Sequence, residues 1–368
     1  MSGSFEIFMS IAPGLEPILA EEARDKGFDG VEVVPGGVTV RGGWQAVWQA
    51  NLEMRGAARV LVRVGAFRAF HLAQLDKRAR KFPWGDVLRA DVPVKVEVTT
   101  KRSKIYHAGA AAQRIERALS EELGVTVSKQ AALAVKVRID DNLVTISLDS
   151  SGEGLHKRGH KEAVGKAPMR ETLAALFLRA CGHRGDEPVV DPMCGSGTFP
   201  IEAAEMAAGM QPGRGRGFAF ERFAGFEAEA FEGMRRAGPA RLPGVLFHGY
   251  DRDQGAIRNA GQNAERAAVA EWCRFACQPV SALEPPEGKP GLVIANPPYG
   301  GRIGNRKMLF SLYGSFGRVL RERFKGWRVG VVTSDAGLAK AMDVKFQAGP
   351  PVDHGGLKVK LYQSGVLG

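Results

Sequence analysis

The chain has 368 residues, with 51 Lys+Arg against 40 Asp+Glu, a formal charge of +11 and a pI near 9.6. At 44% hydrophobic and 25% charged it has an ordinary globular composition and enough length for two or three domains, which excludes a disordered or fibrous chain. No apolar run approaches the roughly 18 residues of a membrane span, the N-terminus lacks the basic opening of a leader peptide, and Cys181, Cys194, Cys273 and Cys277 form no C-x-x-C pair. The expectation is a cytoplasmic protein with free buried thiols, no membrane contact and, given its basicity, a polyanionic partner.

Residues 5–11 alternate as a strand, and Gly14 to Lys26 reads as a helix with Pro17 in its first turn and Gly27 after its end. A hairpin is expected over 31–41 around Pro35-Gly36-Gly37, then a helix over 44–54 and a strand over 58–67. The pattern restarts with a basic helix from Leu72 to Phe82, a strand from Val92 to Thr100 and a helix from Ala108 to Leu123. A second hairpin follows, 132–139 with 143–148, around Asp140-Asp141-Asn142. This is the texture of two small α+β units.

From residue 167 strands and helices alternate. Helices are expected over 168–181 and 199–208, and strands over 188–191, 246–251, 292–295, 328–333 and 357–363. That rhythm predicts an α/β, doubly wound, Rossmann-like sheet. The segment 209–245, rich in Gly, Arg, Phe and Pro, reads as a partly irregular insertion.

Val189 to Phe199 is a strand, a glycine-rich turn and a helix start. Gly195 and Gly197 let the backbone approach a ligand, with Met193, Cys194 and Thr198 beside them. Asp191, at the strand end, would repel a dinucleotide phosphate and attract a methionine-derived ammonium, and no P-loop lysine is present. The expected cofactor is therefore S-adenosyl-L-methionine. Asp251 ends the next strand and is expected to accept from the ribose hydroxyls, with Asp253 an alternative that instead caps the following helix. Around Cys277 to Leu283 no carboxylate is available for the adenine amine, so Gln278, Ser281 or backbone near Ala282 would serve.

Leu292 to Ala295 delivers Asn296-Pro297-Pro298-Tyr299. Two prolines stiffen this loop and remove N–H donors, leaving the Asn296 amide oxygen and the Pro297 carbonyl as acceptors. Accepting both hydrogens of an exocyclic amine aims its lone pair at an activated methyl, and Tyr299 can stack on the base. These residues suit methylation of a base amine, guanine N2 and adenine N6 alike. Arg302, Asn305, Arg306 and Lys307 beyond the loop would hold phosphates or form a solvated basic loop. His156 and His160, four residues apart, have no third ligand, so no metal is expected.

The chain resembles the THUMP-domain RNA methyltransferases. Ala12-Pro13-Gly14-Leu15-Glu16 with Leu19 to Glu22 resembles that family's ferredoxin-like opening, Ser151 to Gly159 its linker and Ala167 to Ala175 the helix before its cofactor turn. The resemblance implies a ferredoxin-like segment at 1–68, a THUMP RNA-binding domain at 69–160 and a single methyltransferase domain at 161–368. It carries the cofactor and catalytic roles onto Asp191, Gly195, Gly197, Asp251 and Asn296 to Tyr299, and it implies guanine-N2 methylation of 23S rRNA, with tRNA as the alternative. Basic clusters fit an RNA partner: Lys77, Arg78, Arg80 and Lys81; Lys101, Arg102 and Lys104; Lys157 and Arg158; with Phe82, Trp84 and Tyr106 beside them for stacking. The competing readings are a DNA adenine-N6 methyltransferase and a non-catalytic RNA-binding assembly factor.

Overall fold

The structure, a computed structural model, describes residues 3–162, 169–236, 238–300 and 306–368. The predicted contacts at Arg302 and Asn305, and Ala167-Pro168 of the helix signature, lie outside the described residues. The chain divides into two compact units: residues up to Ile11, Ala20–Leu155 and Arg216–Arg235 in one, and Ala12–Leu19, His156–Gly215 and Arg236–Gly368 in the other.

The first unit holds β1 (Phe5–Ser10), most of α1 (Glu16–Asp25), β2 (Glu32–Val34), β3 (Gly37–Gly42), α2 (Trp44–Glu53) and β4 (Arg59–Arg68). It continues with α3 (Leu72–Arg80), β5 (Val94–Lys101), α4 (Ala108–Glu122), β6 (Leu133–Asp140) and β7 (Leu143–Asp149). The strands form one sheet in the order β2-β3-β1-β4-β7-β6-β5, so β4–β7 pairing joins the two halves that the sequence presents as separate units. Helix α1 starts two residues later than expected because Gly14 sits at φ +97°, outside helical space, while its N–H donates to the Glu16 carboxylate (2.6 Å). Helix α3 stops short of Phe82 because Pro83 disfavours helical backbone just before it.

The second unit contains α5 (Glu171–Ala180), β8 (Val189–Asp191), α6 (Thr198–Ala207), β9 (Phe247–Asp251), α7 (Gln254–Arg266), β10 (Cys273–Cys277) and β11 (Leu292–Ala295). It ends with α8 (Arg306–Arg323), β12 (Arg328–Thr333), α9 (Ala336–Ala341), β13 (Phe346–Ala348), β14 (Val352–His354) and β15 (Leu357–Ser364). Strand order is β10-β9-β8-β11-β12-β15-β13, with β14 on β15. The first five strands are parallel, and β15 is antiparallel to β12. Order reverses between β8 and β11, which are neighbours in the sheet, and a crevice opens beyond the carboxyl ends at such a point. Val293, Ala295, Tyr313, Phe316, Val329, Val331 and their neighbours pack one face of the sheet into a core. Strands β10, β13 and β14 were not expected.

The predicted insertion is partly ordered. Residues 216–235 carry a short 3-10 turn and the helix Ala228–Met234, and they belong to the first unit. There Phe220, Phe226 and Phe231 ring the Trp48 indole at centroid distances of 5.8–6.3 Å.

Candidate active site

The glycine turn follows β8 directly. Asp191 is buried, and its Oδ1 accepts the Met193 N–H at 3.0 Å. Burial, reinforced by the nearby Asp251 carboxylate, pushes its pKa well above the ordinary range. Gly195 (φ +52°) and Gly197 (φ +83°) both need left-handed backbone. A Cβ on Gly197 would press on Ala260 and Phe275, whereas one on Gly195 meets nothing within 4 Å. Open space thus lies over Gly195, the place where a ligand would approach.

Asp251 binds this turn from β9. Its Oδ2 accepts the Gly195 N–H and its Oδ1 the Asp253 N–H, each at 3.0 Å. Each oxygen keeps a second lone pair for a ribose hydroxyl. Asp253 takes the capping role, accepting from Gly255 N–H at 2.7 Å at the start of α7. The Cys194 N–H donates to the Tyr250 carbonyl at 2.8 Å, and the Cys194 thiol is buried. Met193 packs partly buried on the core. The Thr198 hydroxyl is buried and accepts from Lys161 Nζ (2.9 Å), which also pairs with Glu171 (3.3 Å). Ser281 and Ala282 lie on an exposed 3-10 turn at the end of β10, tied to β9 by the Gln278 N–H donating to the Asp251 carbonyl (3.0 Å).

The second loop leaves the neighbouring strand β11. Asn296 is half-buried, and its Oδ1 is fully buried with no hydrogen-bond partner among the described residues. Such an atom costs about 1–3 kcal/mol unless a ligand supplies a donor. Pro297 is buried, Tyr299 packs on the same core, and burial pushes the Tyr299 hydroxyl up to about 12, so it stays neutral. The Tyr313 hydroxyl approaches the Pro298 carbonyl at 3.4 Å from α8.

The structure corrects several of the expected RNA contacts. Arg158 is not on the surface: its side chain is 2% exposed and pairs with Glu202 at 3.4 Å. Arg80 is committed to Asp76, Glu121 and Glu122, and these carboxylates raise its pKa further. Arg102 pairs with Asp140 at 2.9 Å and, with its side chain 69% exposed, stays on the surface beside the expected contacts. Trp84 is buried, its Nε1–H donating to the Ala79 carbonyl (2.8 Å), and offers no stacking face. Lys77, Arg78, Lys81, Lys101, Lys104 and Lys157 are exposed, as is Tyr106, at 83%. Cys277 is exposed, unlike the other three thiols, because it closes the edge strand β10. No group of side chains suited to a metal ion occurs among the described residues.

Sequence reasoning missed Tyr250, Phe275 and Asn263. The Phe275 ring fills the space beside Gly249, where a Cβ would lie 2.5 Å from it. The Asn263 amide donates to the Ser196 carbonyl at 3.0 Å and holds the turn from α7. The i, i+3, i+7 pattern of Ile257, Ala260 and Ala264 in that helix was the signal that could have placed Asn263 on its buried side.

Residues 158–357 match the RMKL-like methyltransferase domain, and residues 6–61 match the RlmL ferredoxin-like domain. The Synechocystis protein slr0064, named as an RNA methyltransferase, is 30% identical over 96% of this chain and 95% of its own length. The ribosomal RNA large subunit methyltransferase K/L of Syntrophotalea carbinolica is 34% identical over 98% of this chain, which spans about half (53%) of that relative. The solved structure of SMU.472, described as a methyltransferase complexed with SAH, is 25% identical with a TM-score of 0.86, over 99% of this chain and 98% of that one. Among the described residues no helix is long and apolar enough to cross a membrane.

Proposed function

The chain belongs to the RMKL-like methyltransferase family, and from that premise we propose that it methylates the exocyclic N2 amine of a guanosine in 23S rRNA. S-adenosylmethionine, when bound, supplies a methyl group already activated by a sulfonium. The residues fit that cofactor: a buried carboxylate at Asp191 to face an ammonium, open space over Gly195, and Asp251 with acceptor capacity left for ribose. Met193, Cys194, Gly197 and Thr198 shape the turn, and Ser281 and Ala282 would lie along the adenine.

The observation that carries the reading is the buried Oδ1 of Asn296, which has no hydrogen-bond partner among the described residues. Together with the Pro297 carbonyl it would accept the two amine hydrogens, hold the nitrogen in line with the methyl group and take up positive charge as the bond forms. Tyr299 would stack on the base. In the N-terminal region we assign residues 1–68 to a ferredoxin-like domain and 69–160 to a THUMP domain, with Lys77, Arg78, Lys81, Lys101, Lys104 and Lys157 on phosphates. The catalytic domain is then 161–368, and cytoplasmic location follows from an rRNA substrate.

The test is methyl transfer to purified 23S rRNA, read by nucleoside mass spectrometry. N2-methylguanosine is expected, and Asn296→Ala should lower the rate at least about 100-fold while cofactor affinity changes little. Undiminished activity in that variant would remove Asn296 from the chemistry. Methylation of tRNA alone would move the substrate.

A further inference from the structure

The acceptors of the Asn-Pro-Pro-Tyr loop treat any base amine alike, so discrimination between purines must come from another wall of the pocket. Strand β12 supplies that wall. Ala295 pairs with Val331, so two residues further along these parallel strands Pro297 and Thr333 stand at adjacent carboxyl ends. Asp335 follows. Its N–H donates to Thr333 Oγ1 at 3.2 Å, and its Oδ1 accepts the Gly337 N–H at 2.8 Å, capping α9. Asp335 is half-buried, and among the described residues its Oδ2 has no hydrogen bond and no cation partner. The Tyr313 side chain spans the gap: its hydroxyl approaches the Pro298 carbonyl at 3.4 Å, and it lies within electrostatic reach of both Tyr299 and Asp335. The capping carboxylate thus stands on the flank of the same loop that holds the amine.

We propose that Asp335 reads the N1–H of the target guanine and so selects guanine over adenine. Guanine presents N1–H next to its N2 amine, two donors side by side. Adenine presents an unprotonated N1 next to its N6 amine, and its lone pair would face the carboxylate. A charge-assisted bond in one case and a lone-pair clash in the other give discrimination through both attraction and repulsion. Asp335 is a recognition residue in this scheme and takes no proton from the reacting nitrogen. The inference rests on the guanine-N2 reading above.

The experiment first maps the nucleotide that the wild-type enzyme methylates, then uses a synthetic RNA carrying guanosine or 2-aminopurine riboside at that position. The analogue keeps the N2 amine and lacks N1–H. Wild-type enzyme should prefer guanosine by about 100-fold or more in kcat/KM. Asp335→Asn preserves the helix cap, since Asn caps as well as Asp, so its thermal midpoint and cofactor affinity should match wild type. Its rate on guanosine should fall about 10- to 100-fold. Its preference over 2-aminopurine should fall by at least about 10-fold, because the amide can donate to the analogue's N1. If the preference survives in Asp335→Asn, whatever the absolute rate, the proposal is wrong. Asp335→Ser, a second capping residue without charge, covers the case in which the asparagine variant fails to fold; a preference intact there overturns the proposal equally. A wild-type product other than N2-methylguanosine would appear in the mapping step, and it would overturn the guanine-N2 reading itself and with it this inference.

Discussion

Asp191 is buried at the end of β8, and burial with the neighbouring Asp251 raises its proton affinity. The sign of the consequence is definite. With the folded pKa above the unfolded value, the ligand-free protein holds the proton to higher pH and loses stability as pH rises through that interval. A cationic ammonium needs the ionised form, so affinity for S-adenosylmethionine should rise with pH through the raised pKa. Calorimetric titration at pH values upward from the ordinary carboxylate range should show that slope, and Asp191→Asn should flatten it while weakening binding. The strand-end positions of Asp191 and Asn296 could be read from sequence because each ends a short apolar run. Arg158 and Trp84 could not. Their burial depends on a carboxylate 44 residues away and on helix α3, and nothing local distinguishes a buried arginine from a phosphate-binding one.

Among the elements, β4 and β7 depend on a small polar network at their ends. The Asn51 Nδ2–H donates to Ser150 Oγ (2.9 Å), Ser151 Oγ donates to Asn51 Oδ1 (2.7 Å), and the Val60 N–H donates to Ser151 Oγ (2.8 Å), all buried. Ser150 and Ser151, which follow β7 directly, thus fasten the chain to the sheet just beyond the strand's end. Replacing Asn51 with Ala removes the acceptor of the buried Ser151 hydroxyl and should cost about 1–3 kcal/mol, measurable by denaturant unfolding with the slope unchanged. The longer elements were visible in the sequence through their period. Strands β13 and β14, at three residues each, are too short to show one. Strand β10 reads Cys-Arg-Phe-Ala-Cys, and as an edge strand it carries little of the apolar character that marks its neighbours.

On the scale of the molecule, the positive charge is best tested by salt. If the exposed lysines touch phosphates, each Lys→Ala change at Lys77, Lys81 or Lys104 should lower RNA affinity and reduce the slope of log K against log salt by roughly 0.7–0.9. Arg158→Ala should instead lower stability and leave the slope alone. The doubly wound character of the catalytic sheet followed from its alternation, but the excursion of residues 216–235 into the first unit did not, because nothing in an irregular Phe-rich stretch states which core it joins. A fragment beginning at residue 161 would therefore leave Phe218, Phe220, Phe223 and Phe231, all buried in the intact chain, without the tryptophans of α2. It should aggregate in light scattering where the full chain stays dispersed. The thiols offer a different use of the same architecture. Three are sealed and Cys277 stands at the open edge, paired in register with Asp251. The native protein thus carries a ready position for a fluorescent maleimide beside the cofactor turn, installed without mutation, and the number of labels per chain becomes a clock for how much of the fold has opened.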